Sequence, residues 1–292
     1  MTGFRIANRT LCIAGVSAHL QVFKAEPSPP LLRTSGIPSK LTTKELITRA
    51  TGKVAGCDRE VTCRFDPDTI LVQIDGIAEY SVSREGRSIE VVSTTKAVPR
   101  HSVDEAILGP PLILALGLHG VMTLHAGSVA TENGVVSFLG KSGSGKSTLA
   151  AYLDQHIREW LRCTDDLLPV DQGTDAAEAL PHFPQLKLEP TDQWSFPKPE
   201  RIPLRALYIL DQDSPPDSRV TITTLPPTDA TVIILQHSAA WTLFPPELMN
   251  RHLAFCARIA ETVPVRRLSY PRRFEALPEV AAAVQTDIIQ LI

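Results

Sequence analysis

The sequence predicts an α/β domain over residues 103–292, preceded by a small β-rich module over residues 1–102. Three observations favour this organisation. In the first part, short β-branched runs are separated by Asp-Pro-Asp, Asp-Gly and Glu-Gly turns, which is typical of strands joined by tight turns. In the second part, apolar runs of strand length alternate with stretches of helical spacing. A glycine-rich loop, GKSGSGKS, lies between one such strand and one such helix.

The β-rich part contains two clear strand candidates, TILVQID and GRSIEVVS, and no catalytic motif. It is followed by AILGPPLILALGLHGVMTL, residues 106–124, which has no charged residue. Prolines at 110–111 and glycines at 117 and 120 interrupt this segment, which is unusual for a membrane span. We therefore expect a short buried helix after the prolines, then a strand, and no membrane partner.

The remaining elements are predicted from local patterns. MTLHAGSVA and GVVSFLG are two apolar strands, and the intervening TENG is typical of a hairpin turn. Beyond them, helices are predicted at 147–161, 245–260 and 277–292, and buried strands at 205–211 (RALYILD) and 231–237 (TVIILQH).

The glycine-rich loop satisfies the pattern G-x-x-x-x-G-K-[ST] between a strand and a helix. Its glycines let successive backbone N–H groups point at phosphate oxygens, and the helix N-terminus adds positive potential. Lys146 is expected to reach the β- and γ-phosphates of ATP, and Ser147 to hold Mg²⁺ through its hydroxyl. The residues expected to bind the nucleotide are Gly140, Lys141, Ser142, Gly143, Ser144, Gly145, Lys146, Ser147 and Thr148.

A phosphate loop needs carboxylates for the metal and the nucleophile, and the sequence offers two candidates. Asp165 and Asp166, in CTDDLL, follow the loop helix, so one could bind the metal while the other accepts a proton. Asp211 ends the apolar run ALYIL and resembles a Walker B aspartate. A solvated turn at the Asp pair and an ordinary strand-end aspartate at 211 are the structural alternatives. His125 is a third candidate, because the hairpin would place its strand beside the loop, although a lone histidine on an apolar strand is usually a core residue.

His125, the segment GVVSFLGKSGSGKST and the Asp165–Asp166 pair together resemble the catalytic domain of the HPr kinase/phosphorylase family. The histidine stands fifteen positions before the first loop glycine, as in that family. The resemblance implies the mixed sheet shared with phosphoenolpyruvate carboxykinase, in which the loop strand has an antiparallel neighbour. It also implies that Asp165 is the catalytic base that activates a serine hydroxyl, that His125 lies near the phosphates, and that Asp166 and Ser147 serve the metal.

The chain departs from that family after the Asp pair. The family's Glu-x-Arg-Gly segment is absent, and LPHFPQLKLEP, residues 180–190, stands in its place. This segment is similar to HPr-kinase-related proteins that include kinases of a serine in lasso-peptide precursors. The resemblance therefore implies a peptide or protein substrate with an acceptor serine. Lys187 is then a candidate substrate contact, for a phosphate or an acidic peptide end, or else a surface lysine that alternates with Leu186 and Leu188 on an edge strand. Four arginines in VPVRRLSYPRR, residues 263–273, are candidates for an anionic substrate or a triphosphate, or form a solvated basic face.

Composition excludes some classes and leaves others open. The net charge of −3 argues against a non-specific nucleic-acid binder. Five cysteines without tight pairs and no apolar segment at the N-terminus favour a cytoplasmic protein with free thiols. The resemblance adds a homo-oligomer as an expectation. Two alternative functions remain: a nucleotide-binding regulator or ATPase, and a kinase of a small hydroxylated metabolite. The absence of LSGGQ and N-K-x-D disfavours ABC-type ATPases and GTPases.

Overall fold

The computed structural model describes residues 2–7, 9–14, 46–173, 176–181, 183, 200–211 and 219–291. They fold as a mixture of sheets and helices, which confirms the α/β class. Two compact units are present: Met1–Met122 with Ala239–His252, and Thr123–Ser238 with Leu253–Ile292. The boundary predicted after residue 102 falls inside the first helix, and a division into domains at that position stays a prediction.

The first unit contains a seven-stranded sheet with the order β1-β2-β7-β6-β5-β4-β3. Neighbouring strands run antiparallel except β2 and β7, which are parallel. The strands β5 and β7 confirm the two strand candidates of the β-rich part. Strand bounds are β1 (Thr2–Ile6), β2 (Arg9–Ala14), β3 (Leu46–Val54), β4 (Cys57–Phe65), β5 (Thr69–Ile74), β6 (Ala78–Ser83) and β7 (Ser88–Thr94).

After β7 the chain forms α1 (Arg100–Ile107) and α2 (Pro110–Leu118). The prolines occupy the first turn of α2, where their missing N–H groups have no intrahelical partner to lose. Every residue from Pro111 to Leu118 is buried, and α2 packs on β6 and β7. The expected short buried helix is thus confirmed. In the described part of the chain, no helix is long and apolar enough to cross a membrane.

The second unit is built on a mixed sheet. The hairpin β8–β9 is antiparallel, whereas β9 runs parallel to β13 and β13 runs parallel to β15. A loop strand with one antiparallel neighbour was the expectation, and the strand pairing confirms it. The strands are β8 (Met122–Thr131), β9 (Gly134–Leu139), β10 (Leu161–Thr164), β11 (Leu167–Gln172), β12 (Ala177–Ala179), β13 (Ile202–Leu210), β14 (Thr221–Thr224) and β15 (Val265–Ser269). The helices are α3 (Lys146–His156), α4 (Pro227–Gln236) and α6 (Leu277–Gln290), and α5 (Pro246–Thr262) begins within the segment Ala239–His252 of the first unit.

The core of this unit lies between the sheet and the helices α3 and α6. Phe138 of β9 and Tyr208 of β13 are fully buried, with ring centroids 5.8 Å apart. Leu149 and Leu153 of α3 join the same cluster, together with one face of α6. Because β9 and α3 are both anchored in this core, the loop that joins them has two fixed ends.

Two predicted elements differ from the structure. The helix predicted at 147–161 ends at His156, and Leu161 begins β10. The run TVIILQH, 231–237, was predicted as a buried strand, but residues 231–236 belong to α4 and His237 caps it. Pro227 begins that helix with the φ angle a helix needs, and Asp229 in the first turn suits the positive helix end. Ala230 and Ile234 are buried while Val232 is 53% exposed, which is the four-residue spacing of a helix face.

Candidate functional site

The phosphate loop joins the end of β9 to the start of α3, as its motif predicts. Gly143 and Gly145 have φ angles of 76° and 94°, a left-handed backbone that side chains disfavour. Lys141, Ser142 and Gly143 are exposed, whereas Ser144 is buried. The loop thus presents backbone at the surface, and its curl depends on the glycines.

Lys146 lies across the mouth of the loop. Its ammonium donates hydrogen bonds to the carbonyl oxygens of Gly140 (2.6 Å) and Lys141 (3.0 Å). Strand β8 passes close behind it, because a Cβ on Gly127 would lie only 2.9 Å from the Lys146 carbonyl oxygen. Gly127 therefore lets the first turn of α3 approach the hairpin, and nothing in the motif indicated this role.

The Asp pair lies in the bend between β10 and β11, next to the start of α3. The Ser147 hydroxyl is 3.5 Å from the backbone oxygen of Asp165. The Asp165 side chain is 7% exposed and forms an ion pair with Arg162, whose side chain is 16% exposed. Arg162 is a residue that sequence reasoning missed, since nothing in the sequence distinguishes it from other strand arginines.

Asp166 lies on the other side of the bend, toward His125. The two side chains approach to 3.7 Å, measured from Nδ1 of His125 to Oδ1 of Asp166. Both are open, with 49% and 44% of the side chain exposed respectively. Pairing of β8 with the bend fixes this approach, because the N–H of Ala126 donates to the Asp166 carbonyl at 3.1 Å. The structure therefore gives the two aspartates different surroundings.

His237 is a further member of the site that the sequence did not reveal. It follows the last residue of α4, and its carbonyl accepts the His125 N–H at 2.8 Å. Burial, together with the nearby charges of Lys146, His125 and Lys141, lowers the pKa of His237 to about 4. Its imidazole is therefore neutral at pH 7. Because 231–237 was predicted as a strand, no sequence pattern indicated that this histidine would lie near the loop.

Three buried hydroxyl groups connect β8, β9 and β10 next to the site. Ser128 donates to Ser137 across the hairpin at 3.0 Å. Thr164, the residue before the Asp pair, lies 3.0 Å from the Ser128 hydroxyl and 3.2 Å from the Ala126 carbonyl. These contacts tie the end of β10 to β8 and β9, and so hold the bend against the loop strand.

The other candidate carboxylate, Asp211, directly follows β13, the parallel neighbour of the loop strand. Its carboxylate accepts the Ser269 hydroxyl at 2.9 Å. Because β9 and β13 are parallel, Asp211 lies at the same edge of the sheet as Gly140, as a Walker B aspartate would. Both it and Asp166 remain candidates for the metal.

The basic residues near the C-terminus divide into two groups. Arg266 lies 3.3 Å from Asp287 and also donates to Thr224, so it stabilises the sheet edge. Arg267 is exposed on the same strand. Arg272 instead donates to the Gly143 carbonyl at 2.5 Å, at the loop itself. Lys187, the expected substrate contact, lies outside the described residues.

The donor set suits a hard divalent cation only in combination with phosphate. Within the described ranges, no group of three or more His, Cys, Asp or Glu side chains comes together. Mg²⁺ usually takes one or two protein ligands and completes its shell with phosphate oxygens and water. The Ser147 hydroxyl with one carboxylate, from Asp166 or Asp211, fits that pattern.

Comparisons with known proteins add a distant likeness. No protein-family model matches the chain, and no curated protein matches it in sequence. Among solved structures, the chain is similar to one described as the Hpr(Ser) kinase/phosphatase from Coxiella burnetii, with 12% identity and a TM-score of 0.33. That match covers 58% of this chain and 97% of the other. Because the TM-score is so low, the function of this chain has to be inferred from its motifs and from the geometry of its site.

Proposed function

We propose that this protein is an ATP-dependent kinase that transfers the γ-phosphoryl group to a serine hydroxyl of a peptide or protein. The proposal rests on one observation: the exposed pair His125–Asp166 lies on the elements that border the phosphate loop. A nucleotide-binding regulator would need only the loop. A phosphotransferase also needs a base on the acceptor side, and this pair supplies a carboxylate with open access.

The loop would bind the phosphates through its backbone N–H groups and Lys146. The Lys146 ammonium now donates to two loop carbonyls, and phosphate oxygens are stronger, charged acceptors. Its ammonium can therefore turn to the β- and γ-phosphates without leaving a buried charge unpaired. The Ser147 hydroxyl would help to hold Mg²⁺, which would neutralise part of the negative charge of the phosphates. Catalysis would then consist mainly of positioning and electrostatic stabilisation.

The surroundings of the two aspartates favour a different division of roles from the one the family resemblance implies, with Asp166 instead of Asp165 as the base. A general base must come within about 2.6–3.2 Å of the hydroxyl it deprotonates. Asp165 is buried against Arg162, whereas Asp166 is exposed beside His125. We assign the proton to Asp166: the serine oxygen bonds to the γ-phosphorus, its proton passes to Asp166, and the bond to the β,γ-bridging oxygen breaks to release ADP. Asp165 would position the bend through Arg162.

The open acceptor side supports a peptide or protein substrate over a small metabolite. Enzymes for small molecules usually enclose most of the ligand surface. About half of each side chain, of His125 and of Asp166, is exposed, so a serine on a larger chain can reach them. A cytoplasmic location and a homo-oligomer remain part of the proposal.

The test is phosphoryl transfer from γ-labelled ATP to serine-containing peptides encoded by neighbouring genes, followed by mass measurement. We expect Asp166→Asn to abolish transfer while ATP binding persists, and Asp165→Asn to retain part of the transfer. Asp58→Asn, at an exposed position of β4, is the matched control. Label found only in free phosphate would favour the ATPase alternative, and label in a metabolite the small-molecule kinase. Loss of transfer in Asp165→Asn with full activity in Asp166→Asn would reverse the two roles.

A further inference from the structure

A cavity of about 220 Å³ lies beside the phosphate loop within the second compact unit. One wall is the loop and the first turn of α3, and the other is the segment that follows β15. From the loop side it is lined by Gly143, Ser144, Gly145 and Thr148, and from the other side by Tyr270, Arg272, Arg273, Phe274 and Leu277.

The cavity lies away from the catalytic groups. Lys146, Ser147 and the Asp pair do not line it, although Gly145, directly before Lys146, and Thr148, two residues after it, do. A triphosphate bound in the loop has two ends, and its γ end belongs with Lys146 and the metal. Its α end, to which the nucleoside is attached, therefore leaves the loop on the side of this cavity.

The side chains of the far wall suit a flat aromatic ring next to a negative charge. Phe274 is 75% exposed, more than any other large apolar side chain in the described part of the chain. Leu277 also lines the cavity and is buried. Arg272 and Arg273 are exposed beside the ring, and Arg272 is fixed at the loop by its bond to Gly143. Aromatic rings and guanidinium groups are the usual stacking partners of nucleobases.

The volume limits what the cavity can hold. Sites that enclose a whole drug-sized ligand span roughly 300–1,000 Å³. At about 220 Å³ this cavity is smaller. It therefore fits one part of a nucleotide, with the phosphates outside it in the loop.

We propose that this cavity is the nucleoside subsite, in which the base stacks on Phe274 and Arg272 and Arg273 face the ribose and the α-phosphate. This inference rests on the proposed function, because it requires that the loop binds a nucleoside triphosphate. It goes beyond the loop motif, which specifies the phosphates and nothing about the nucleoside.

The test compares two ligands by calorimetry, Mg-ATP and Mg-tripolyphosphate, on the full chain. The variant is Phe274→Ala, and the control is Ile289→Ala, which removes an apolar side chain that is 70% exposed on α6. Loss of base stacking is expected to raise the Kd of ATP by about 5- to 100-fold in Phe274→Ala. The Kd of tripolyphosphate should stay unchanged, and Ile289→Ala should match the wild type for both ligands.

The outcomes separate the subsite from the function. If the wild type binds both ligands and Phe274→Ala binds ATP as tightly, the nucleoside subsite is refuted while the proposed function stands. If Phe274→Ala weakens both ligands equally, Phe274 acts on the loop, and the subsite is again refuted. If the wild type binds neither ligand, the proposed function itself fails, and the subsite with it.

Discussion

Replacing Gly127 by alanine tests how closely β8 supports the loop helix. A Cβ at this position would lie 2.9 Å from the Lys146 carbonyl oxygen and 3.0 Å from its carbonyl carbon. Both atoms are backbone in the first turn of α3, so no side chain can rotate to make room. To restore an ordinary contact of 3.4 Å, β8 and α3 must separate by about 0.5 Å.

This separation should lower both the free energy of unfolding and the rate of phosphoryl transfer. Overpacking of a close-packed interior costs about 1–3 kcal/mol of the free energy of unfolding. A misplacement of about 1 Å can reduce catalysis about 100-fold, so about 0.5 Å should lower the kcat/KM of phosphoryl transfer about tenfold. The lower unfolding free energy depends only on the packing, whereas the loss of transfer also depends on the proposed role of Lys146.

Gly52→Ala is the matched control, because Gly52 also lies in a strand and its added Cβ meets nothing within 4 Å. Both variants lose the same backbone freedom in the unfolded chain, so their difference isolates the crowding at Gly127. Urea unfolding and transfer kinetics of the two variants give the comparison. Equal unfolding free energies for both variants, with wild-type transfer in Gly127→Ala, would refute the packing argument.

Three further predictions concern pH, buried hydroxyls and the metal. Burial lowers the pKa of His252 to about 4. Between pH 6.5 and 4 the unfolded chain therefore binds a proton at this histidine that the folded chain does not. The contribution of His252 to the free energy of unfolding is thus complete above pH 6.5 and falls as the pH drops. The fall in unfolding free energy between pH 7 and pH 4.5, measured by urea unfolding, should be about 1–3 kcal/mol smaller in His252→Leu than in the wild type. The same fall in both proteins would contradict this prediction. Ser128→Ala removes one hydrogen-bond partner from each of the Ser137 and Thr164 hydroxyls, so it should lower the free energy of unfolding by about 1–3 kcal/mol in urea. An unchanged unfolding free energy would show that these hydroxyls do not stabilise the site. Asp211→Asn should raise the Mg²⁺ concentration for half-maximal transfer about tenfold or more, and an unchanged requirement would exclude Asp211 as the metal ligand.

Local sequence patterns predicted most of the elements that border the site. The hairpin, the loop, α3, α5, α6 and β13 were predicted from runs of apolar residues and turn residues that are contiguous in sequence. The pattern failed at α4, where the β-branched run TVII is compatible with both helix and strand. Pro227 and the burial of Ala230 and Ile234 decided for the helix, and the burial depends on what packs against that face.

The sequence by itself determined the phosphate loop, because a loop of eight consecutive residues folds largely on its own glycines and on the helix after it. Tertiary structure alone decided which side chains surround it. Pairing of β8 with the bend after β10 exposes Asp166 beside His125, and the ion pair with Arg162 buries Asp165. His237 reaches the site from the end of α4, which is far from the loop in the chain, and only the packing shows that Gly127 of β8 touches the first turn of α3. Spacing in the sequence cannot reveal such approaches, because they are fixed by strand register and by packing distances of a few ångström.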